Sequence, residues 1–543
     1  MLKILLMKKM IFKSGIFTFL GLLLLQSCTK DLNLTPTNDV TSETVYATAA
    51  GYKQVLAKVY GAFALTGNQG PAGNGDVQGI DEGFSDFFRL FWKAQELSTD
   101  EAVISWGDVG IQDFHNMNWS PNNSFLTGLY YRSLYQITLC NDFIREAADD
   151  KLSARGISGA DADNVRQYVN EARFLRAFQY WVLMDLYGNP AFVTEASVIG
   201  GPPPPQATRT QVFNYVESEL KALEAAMPNP RANEYGRADK GAVWALLART
   251  YLNAQVYTGT ARYADALTYA KKVIDAGYTL VADYRWLMLA DNHLNSNEFI
   301  FSINYDGAKT QGFGGTTFLN HASVGGSMPA TTYGVAGGWS GVRTTKNLVN
   351  LFPDQSGTAD KRAQFYTSGQ NLEITNLTDF TSGLAVTKYR NVRRDSVLVN
   401  GVLVPAIGQS ADYADIDMPL FRLAEMYLIY AEAFTRGAGG DPATALQYIN
   451  NLRTRAYGSA SGNITAGQLT TDFILDERAR ELYWEGHRRT DLIRYNKFVE
   501  SSYLWPWKGG IASGTGVAAF RKLYPIPSRD VNANRNLVQN PGY

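Results

Sequence analysis

The sequence is poor in the residues that metal sites and disulfide frameworks require. Its 543 residues include two cysteines and four histidines. Two cysteines exclude a disulfide framework and a four-cysteine zinc site, and four histidines argue against a histidine-rich metal enzyme. We therefore expect no cofactor and no functional metal site. A structural Ca²⁺ on the oxygens of Asp283, Asp291, Asn292, Asn295 and Glu298 stays open, although a solvated loop is the favoured interpretation of these residues.

An excess of basic charge is also missing. The chain has 50 Lys and Arg against 51 Asp and Glu. Four lysines and no acidic residue lie within residues 1–27, which leaves 46 basic and 51 acidic residues in the remainder. That balance excludes a protein that binds nucleic acid through bulk positive charge. Aromatic residues, in contrast, are abundant at 13%, and there are 49 glycines.

Long hydrophobic runs are absent apart from one near the N-terminus. Residues 16–25 are apolar, but ten residues cannot span a bilayer, which needs about 20. Lysines precede this run, and it ends at Ser27 and Cys28 before polar sequence. The pattern is typical of a bacterial lipoprotein signal, so we predict a signal peptide over residues 1–27, lipidation of Cys28 and a tether over residues 28–42. The alternative is a plain secretory signal with an incidental cysteine.

The body of the chain shows helical periodicity with a repeated pattern of alanine, tyrosine and leucine. Two segments repeat it: Ala248-x-x-Tyr251-Leu252 precedes Ala266-Leu267-x-Tyr269, and Ala424-x-x-Tyr427-Leu428 precedes Ala445-Leu446-x-Tyr448. Small alanines let two helices approach closely, while tyrosine and leucine fill the space beside them. The sequence therefore predicts a mainly α fold built on tetratricopeptide-like helix pairs.

The composition changes between residues 301 and 419, where glycine, threonine, serine and asparagine dominate. Short strand-like runs occur near residues 299–303 and 397–399. We predict an N-terminal helical region with loop insertions over residues 43–300, a large irregular, loop-rich lobe over 301–419 and C-terminal helical repeats over 420–543. Loops on a rigid scaffold are where binding residues are usually found.

Nine motifs follow one another through nearly the whole chain, in residues 28–32, 171–177, 186–190, 240–249, 422–428, 477–482, 485–492, 524–527 and 536–543. Taken in this order, they resemble the SusD/RagB family, the surface glycan-binding lipoproteins of Bacteroidetes. The resemblance implies four tetratricopeptide-like units with an irregular second lobe. It also implies an outer-membrane protein at the cell surface, held by a lipid anchor, whose partner is a SusC-type TonB-dependent transporter.

The resemblance implies binding of an oligosaccharide or polysaccharide and no catalysis. Charged residues between positions 480 and 491 are accordingly interpreted as helix-end ion pairs. Three aromatic residues match the glycan-binding arc of the starch-binding branch: Trp106, Tyr305 and Trp339. Asp81 and Arg89 match its polar partners, whereas Ile104 replaces a second tryptophan of that branch. Aromatic faces cover the C–H faces of sugars, and polar side chains bind their hydroxyls.

Two other functions remain open from the sequence. Some members of the family capture peptides, and then the loop tryptophans would be dispensable. A surface glycosidase would need a pair of carboxylates in one cleft, and no segment of the sequence isolates such a pair. The phosphate-binding pattern GxxxxGK[ST] and the zinc pattern HExxH do not occur.

Overall fold

The computed structural model describes residues 42–543 except Gln69, Ala72 and Asn400. The predicted signal peptide, Cys28 and all of the tether except residue 42 lie outside the described residues. Within the described part of the chain, no helix has the length and apolar character needed to cross a membrane.

Helices form most of the scaffold on both sides of the irregular lobe. They are α1 (Ser42–Val45), α2 (Ala49–Gly61), α3 (Phe87–Glu96), α4 (Asp113–Asn116), α5 (Ser124–Glu146), α6 (Asp149–Ala154), α7 (Gly159–Leu186), α8 (Arg209–Ala226), α9 (Lys240–Leu252), α10 (Ala254–Thr258), α11 (Tyr263–Ile274), α12 (Gly315–Ala322), α13 (Lys346–Val349), α14 (Leu423–Thr435), α15 (Pro442–Tyr457), α16 (Thr471–Leu482), α17 (Arg488–Arg494) and α18 (Ser528–Ala533). The mainly α prediction is confirmed.

The predicted helix pairs are present, and their tyrosines meet across the helix contacts. Tyr251 of α9 and Tyr269 of α11 have ring centroids 5.6 Å apart. Tyr427 of α14 and Tyr448 of α15 stack at 4.5 Å with planes only 4° apart. The four alanines of the pattern are fully buried, which allows the close approach that the spacing predicted.

Eight short strands make four two-stranded antiparallel sheets in the described residues. The strands are β1 (Val103–Ile104), β2 (Phe299–Ile303), β3 (Val342–Arg343), β4 (Phe365–Tyr366), β5 (Ala385–Val386), β6 (Val392–Val399), β7 (Val402–Ile407) and β8 (Met418–Arg422). Strand β2 pairs with β8, β1 with β3, β4 with β5 and β6 with β7. Because β2 and β8 are neighbours, the irregular lobe leaves and rejoins the helical scaffold at one place.

One large hydrophobic core joins regions far apart in sequence. Trp92 of α3 packs edge-on against Trp484 at 5.2 Å, and its Nε1 donates to the Trp484 carbonyl oxygen at 3.1 Å. Nearby, the buried Asp100 carboxylate pairs with Arg488 at 2.6 Å. These contacts join the predicted N-terminal region to the C-terminal one, whereas Val324, Met328 and Phe380 belong to a separate buried cluster within residues 301–419. The domain boundaries stay a prediction.

Buried ion pairs fasten the C-terminal helices to the rest of the molecule. Arg422 bonds Glu298, Glu481 and Glu485 at 2.6–3.1 Å, and all four side chains are nearly inaccessible to solvent. Every carboxylate in this group has a guanidinium partner, as burial of charge requires. The interpretation of residues 480–491 as ion pairs agrees with these contacts.

Candidate functional site

Two tryptophans lie side by side where β1 and β3 pair. Ile104 lies opposite Val342 in this sheet, so the residues after β1 and before β3 are brought together. Trp106 and Trp339 have ring centroids 6.4 Å apart, and the Trp106 Nε1 donates to the Trp339 carbonyl oxygen at 3.0 Å. A Cβ at Gly341 would lie 2.6 Å from the Trp106 ring. Glycine at this position therefore lets the indole lie against the backbone.

Phe313 and Tyr413 extend this pair into a row of four rings. The Phe313 ring centroid lies 6.2 Å from that of Trp339 and 6.0 Å from that of Tyr413. All four side chains are half-buried, so each ring keeps part of its surface in contact with solvent. We call Trp106, Trp339, Phe313 and Tyr413 the aromatic row. It offers a continuous apolar surface with a fixed order of rings.

His321 of α12 supports the middle of the aromatic row. Its imidazole stacks on Trp339 at 4.7 Å with planes 24° apart, and its carbonyl oxygen accepts from the Trp339 amide at 2.8 Å. Burial lowers the pKa of His321, so the imidazole is mostly neutral at pH 7. The Trp339 ring therefore stacks on an uncharged imidazole, and the hydrogen bond from its amide to His321 fixes its backbone.

Arg89 of α3 lies beneath the aromatic row and is only 2% exposed. Its guanidinium carbon is 5.8 Å from the Trp106 ring centroid, and Nη1 donates to the carbonyl oxygens of Phe313 at 2.6 Å and Gly83 at 2.9 Å. Burial lowers the pKa of Arg89 to about 9, which leaves it charged at pH 7. Direct contact of Arg89 with a glycan stays a prediction, and its position favours a supporting role.

Tyr305 also lies below the surface, with 7% of the residue exposed. Its hydroxyl donates to the Asp86 carboxylate at 3.4 Å, and its amide donates to Asp417 at 2.9 Å. Burial raises the pKa of the Tyr305 phenol well above its usual range, so the hydroxyl stays protonated. Tyr305 was predicted to contact a glycan, but the ring exposed in this region is that of Phe313.

Two carboxylates, those of Asp81 and Asp108, lie near the buried Arg89. Asp81 is exposed, and its Oδ1 accepts from the Gly83 amide at 3.0 Å, which caps a short 3₁₀ turn. Asp108 is half-buried, two residues after Trp106. Burial lowers the pKa values of Arg89 and Lys93, and the Asp108 charge opposes that lowering. Asp108 therefore lies close enough to Arg89 and Lys93 to interact with them electrostatically.

The sequence prediction missed Phe313, Tyr413 and Asp108. Phe313 stands between Gly312 and Gly314, where a large ring has little helical packing to explain it, so the local sequence could have indicated this residue. Tyr413 carries no comparable signal because its neighbours are ordinary loop residues. Tyr413 lies in the segment that connects β7 to β8, and the path of this segment brings its ring into the aromatic row.

The described residues provide no group of three His, Cys, Asp or Glu side chains suited to holding a metal ion. Cys140 is buried in α5, and burial raises the pKa of its thiol to about 12. A thiol of that pKa is a poor nucleophile at pH 7. The half-exposed rings and neighbouring carboxylates are thus suited to binding through contact and hydrogen bonds.

Two family models match the chain. The SusD family model matches residues 297–543. A model described as starch-binding associating with outer membrane matches residues 88–252. Together they cover the aromatic row and most of the scaffold.

Similar proteins and structures agree with these models. The starch-binding protein SusD of Bacteroides thetaiotaomicron is 36% identical, with 95% of this chain and 96% of that protein covered. A SusD homologue from the same organism has the same fold at a TM-score of 0.71 and 19% identity, with 93% and 99% of the two chains covered. Surface glycan-binding protein A of that organism, in complex with laminarihexaose, gives a TM-score of 0.67 at 22% identity, with 90% and 99% covered. The aligned length and identity to the first relative show that this chain belongs to the SusD family.

Proposed function

We propose that this protein captures starch-type α-glucan oligosaccharides on the aromatic row and passes them to a SusC-type TonB-dependent transporter. The observation that carries the proposal is the packing of Trp106 beside Trp339 on a half-exposed surface. A relative that is 36% identical over 95% of this chain carries the name starch-binding protein, which supports the choice of glycan.

The geometry of the aromatic row suits an extended sugar ligand. Adjacent ring centroids are separated by 6.0–6.4 Å, and the planes of Trp106 and Trp339 are inclined by 44°. An inclined series of rings fits a curved ligand better than a coplanar series of rings does. α-Glucans are curved. Each ring covers the C–H face of a sugar, a contact that combines apolar burial with fixed geometry.

The proposal also includes two carboxylates as hydrogen-bond acceptors for sugar hydroxyls. The exposed Asp81 and the half-buried Asp108 can both accept from a hydroxyl. A few stacked sugars with a few hydrogen bonds give a dissociation constant in the range of about 1 µM to 1 mM. Weak binding at each site suits a protein whose ligand must leave for a transporter, and a long polymer gains affinity by contacting several copies.

The cellular location in this proposal is the outer surface of the outer membrane. One matching family model describes proteins that associate with the outer membrane. Lipid attached to Cys28, which lies outside the described residues, would supply the anchor. The tether would then let the folded body reach a transporter in the same membrane.

Retardation in native gels tests the glycan proposal. The chain beginning after Cys28 is run in gels containing starch, a β-glucan, a fructan, xylan or mannan. We expect starch alone to slow the wild type. Trp106→Ala and Trp339→Ala should each weaken binding about tenfold, because each removes one stacking face.

Trp286→Ala is the matched control, since Trp286 is a partly exposed tryptophan that contacts Arg394 outside the aromatic row. It should migrate as the wild type does. Retardation by a different glycan would keep the function and change the substrate. Binding of peptides, with no retardation by any glycan and no effect of the tryptophan variants, would replace the proposal with the peptide-capturing alternative.

A further inference from the structure

The aromatic row depends on the glycine-rich end of a loop whose first half carries its own hydrogen bonds. The Asp306 carboxylate accepts from the Ala308 amide at 2.9 Å and from the Lys309 amide at 3.0 Å, whereas Phe313 lies between two glycines. Residues 306–314 connect Tyr305 to α12, and Phe313 is the residue of this loop that joins the row. The loop contains Gly307, Gly312 and Gly314. Glycines add backbone freedom, so the position of the Phe313 ring has to be fixed by contacts from outside the loop.

Both ends of this loop are bonded to one buried carboxylate. Asp86 is 1% exposed, and its Oδ1 accepts from the Gly315 amide at 2.8 Å. Its Oδ2 accepts from the Tyr305 hydroxyl at 3.4 Å. Tyr305 immediately precedes the loop and Gly315 follows it, so Asp86 closes the base of the loop.

The same carboxylate ties the loop to α3. Asp86 is the N-cap of α3, and its Oδ1 also accepts from the Arg89 amide at 2.8 Å. Arg89 in turn donates through Nη1 to the Phe313 carbonyl oxygen at 2.6 Å. Phe313 is therefore fixed from two directions, at the loop base by Asp86 and at its own backbone by Arg89.

Glycines make this close approach possible. A Cβ at Gly314 would lie 1.9 Å from the Asp86 Cβ. Gly315 has a φ of +51°, and a Cβ there would lie 2.1 Å from the Tyr305 ring. Any larger residue would push the loop away from the carboxylate and displace Phe313.

Helix capping alone does not account for Asp86. A serine or asparagine caps a helix about as well as aspartate does and carries no charge. Burial raises the pKa of Asp86 to about 6, which means that burial destabilises the ionised carboxylate. Helix capping does not require a group with this energetic cost. A carboxylate has enough acceptor positions to serve the helix and both ends of the loop at once.

We propose that Asp86 is a positioning residue for glycan binding, because it fixes the Phe313 loop against α3 and so completes the aromatic row. The proposal rests on the proposed function and deepens it. It assigns Asp86 no contact with the glycan and makes Phe313 the residue through which Asp86 acts.

A double-mutant cycle on the chain beginning after Cys28 tests this role. Binding of maltohexaose is measured by calorimetry for Asp86→Ala, Phe313→Ala and the double variant. We expect each single variant to weaken binding about tenfold, since each removes the ordered Phe313 contact. The double variant should bind as Phe313→Ala does, because no ordered ring remains to be lost. Asp86→Asn keeps the oxygen that accepts from the two amides but loses the oxygen that accepts from Tyr305, so it should recover only part of the affinity.

Asp239→Ala is the matched control for loss of a buried helix cap. Asp239 is 5% exposed and accepts from the Gly241 and Ala242 amides at the start of α9. It should lose stability without losing affinity. Fully additive effects of Asp86→Ala and Phe313→Ala, or unchanged affinity in a folded Asp86→Ala, would overturn the proposal. If Asp86→Ala does not fold, Tyr305→Phe removes only the hydroxyl bond and should give a smaller loss of affinity; no loss would count against the proposal.

Hydrogen exchange without ligand separates the two proposals. The Gly315 amide should exchange faster in Asp86→Ala than in the wild type. In Asp239→Ala it should exchange at the wild-type rate. If the Gly315 amide exchanges faster in Asp86→Ala but the wild type binds no α-glucan, Asp86 still fixes the loop. That result would reject the role of the loop in glycan binding and contradict the proposed function. Unchanged exchange at Gly315 would reject the fixing of the loop itself, whatever the wild type binds.

Discussion

At the scale of single residues, Glu481 shows how strongly buried charges are coupled in this protein. It is fully buried and bonds Arg422 at 2.6 Å, Arg362 at 3.3 Å and Arg455. Burial opposes its ionisation, but the charges of these three arginines outweigh burial and lower the pKa of Glu481 to about 2. The ionised carboxylate is therefore the form that the folded protein stabilises.

We expect Glu481→Gln to destabilise the protein at pH 7 by on the order of 3 kcal/mol, because three guanidinium groups lose a shared partner. A pKa lowered in the folded state gives stability that is present above about pH 4.5 and is lost as pH falls toward 2. The difference between variant and wild type should accordingly shrink over that interval. Urea unfolding at pH 7, 4.5 and 3 measures it.

The control for this prediction is Glu373→Gln. Glu373 pairs with Lys346 at 2.8 Å, but both side chains are well exposed. Exposed pairs contribute about 0–1 kcal/mol, so this variant should stay close to the wild type at each pH. Equal losses of stability in Glu481→Gln and Glu373→Gln would contradict the expectation that a buried ion pair contributes more than an exposed one.

The residues of the candidate site were predictable to different degrees. Trp106 and Trp339 were predicted from their match to the glycan-binding arc of the family, and both lie half-buried at the surface. Tyr305 follows a strand in the expected way, yet its burial depends on Asp86, which lies 219 positions earlier. Sequence neighbours do not report such a contact, so the depth of a side chain below the surface could not be predicted.

At the scale of elements, the strand pair of β6 and β7 is unusual because several of its described apolar side chains face solvent. Leu398 lies directly opposite Leu403, and both are 70% exposed. We expect the double variant Leu398→Thr, Leu403→Thr to change the free energy of unfolding by less than about 0.5 kcal/mol, since little burial is lost. Urea unfolding at pH 7 provides the measurement.

Leu428→Ala in α14 is the comparison for the hairpin variant. Leu428 is fully buried, and removal of a buried leucine side chain costs about 2–5 kcal/mol. A loss of that size in the hairpin variant would show that the exposed leucines are covered in solution. The prediction concerns the isolated protein without its proposed transporter.

Helix pairs and strand pairs differed in how well the sequence predicted them. The tyrosine pair of α14 and α15 follows from a local pattern, because the two helices are consecutive. The run at residues 299–303 was read correctly as strand-like and forms β2. Its partner β8 begins at Met418, and no local pattern could indicate a partner so far along the chain.

At the scale of the whole molecule, the C-terminal residues are part of the core rather than a tail. The Asn540 side chain donates to the carbonyl oxygens of Tyr187 at 2.8 Å and Tyr524 at 2.7 Å. Leu537 is 6% exposed. We expect removal of residues 537–543 to cost about 4 kcal/mol, from one buried leucine and several hydrogen bonds. Urea unfolding of the truncated chain tests this.

Val538→Ser within the intact chain is the control, because Val538 is 69% exposed. It should leave stability nearly unchanged. A truncated chain as stable as the wild type would mean that the C-terminal contacts contribute nothing net. Two separate unfolding transitions in the wild type would contradict the single core.

The contact between Trp119 and Tyr543 has a consequence for the time at which the protein can fold. The Trp119 Nε1 donates to the Tyr543 hydroxyl at 2.6 Å across 424 positions. At a synthesis rate of roughly 5–20 residues per second, Trp119 waits tens of seconds for this partner. Contacts of such long range also slow folding itself. A nascent chain therefore cannot complete this part of its core before its last residues have been synthesised.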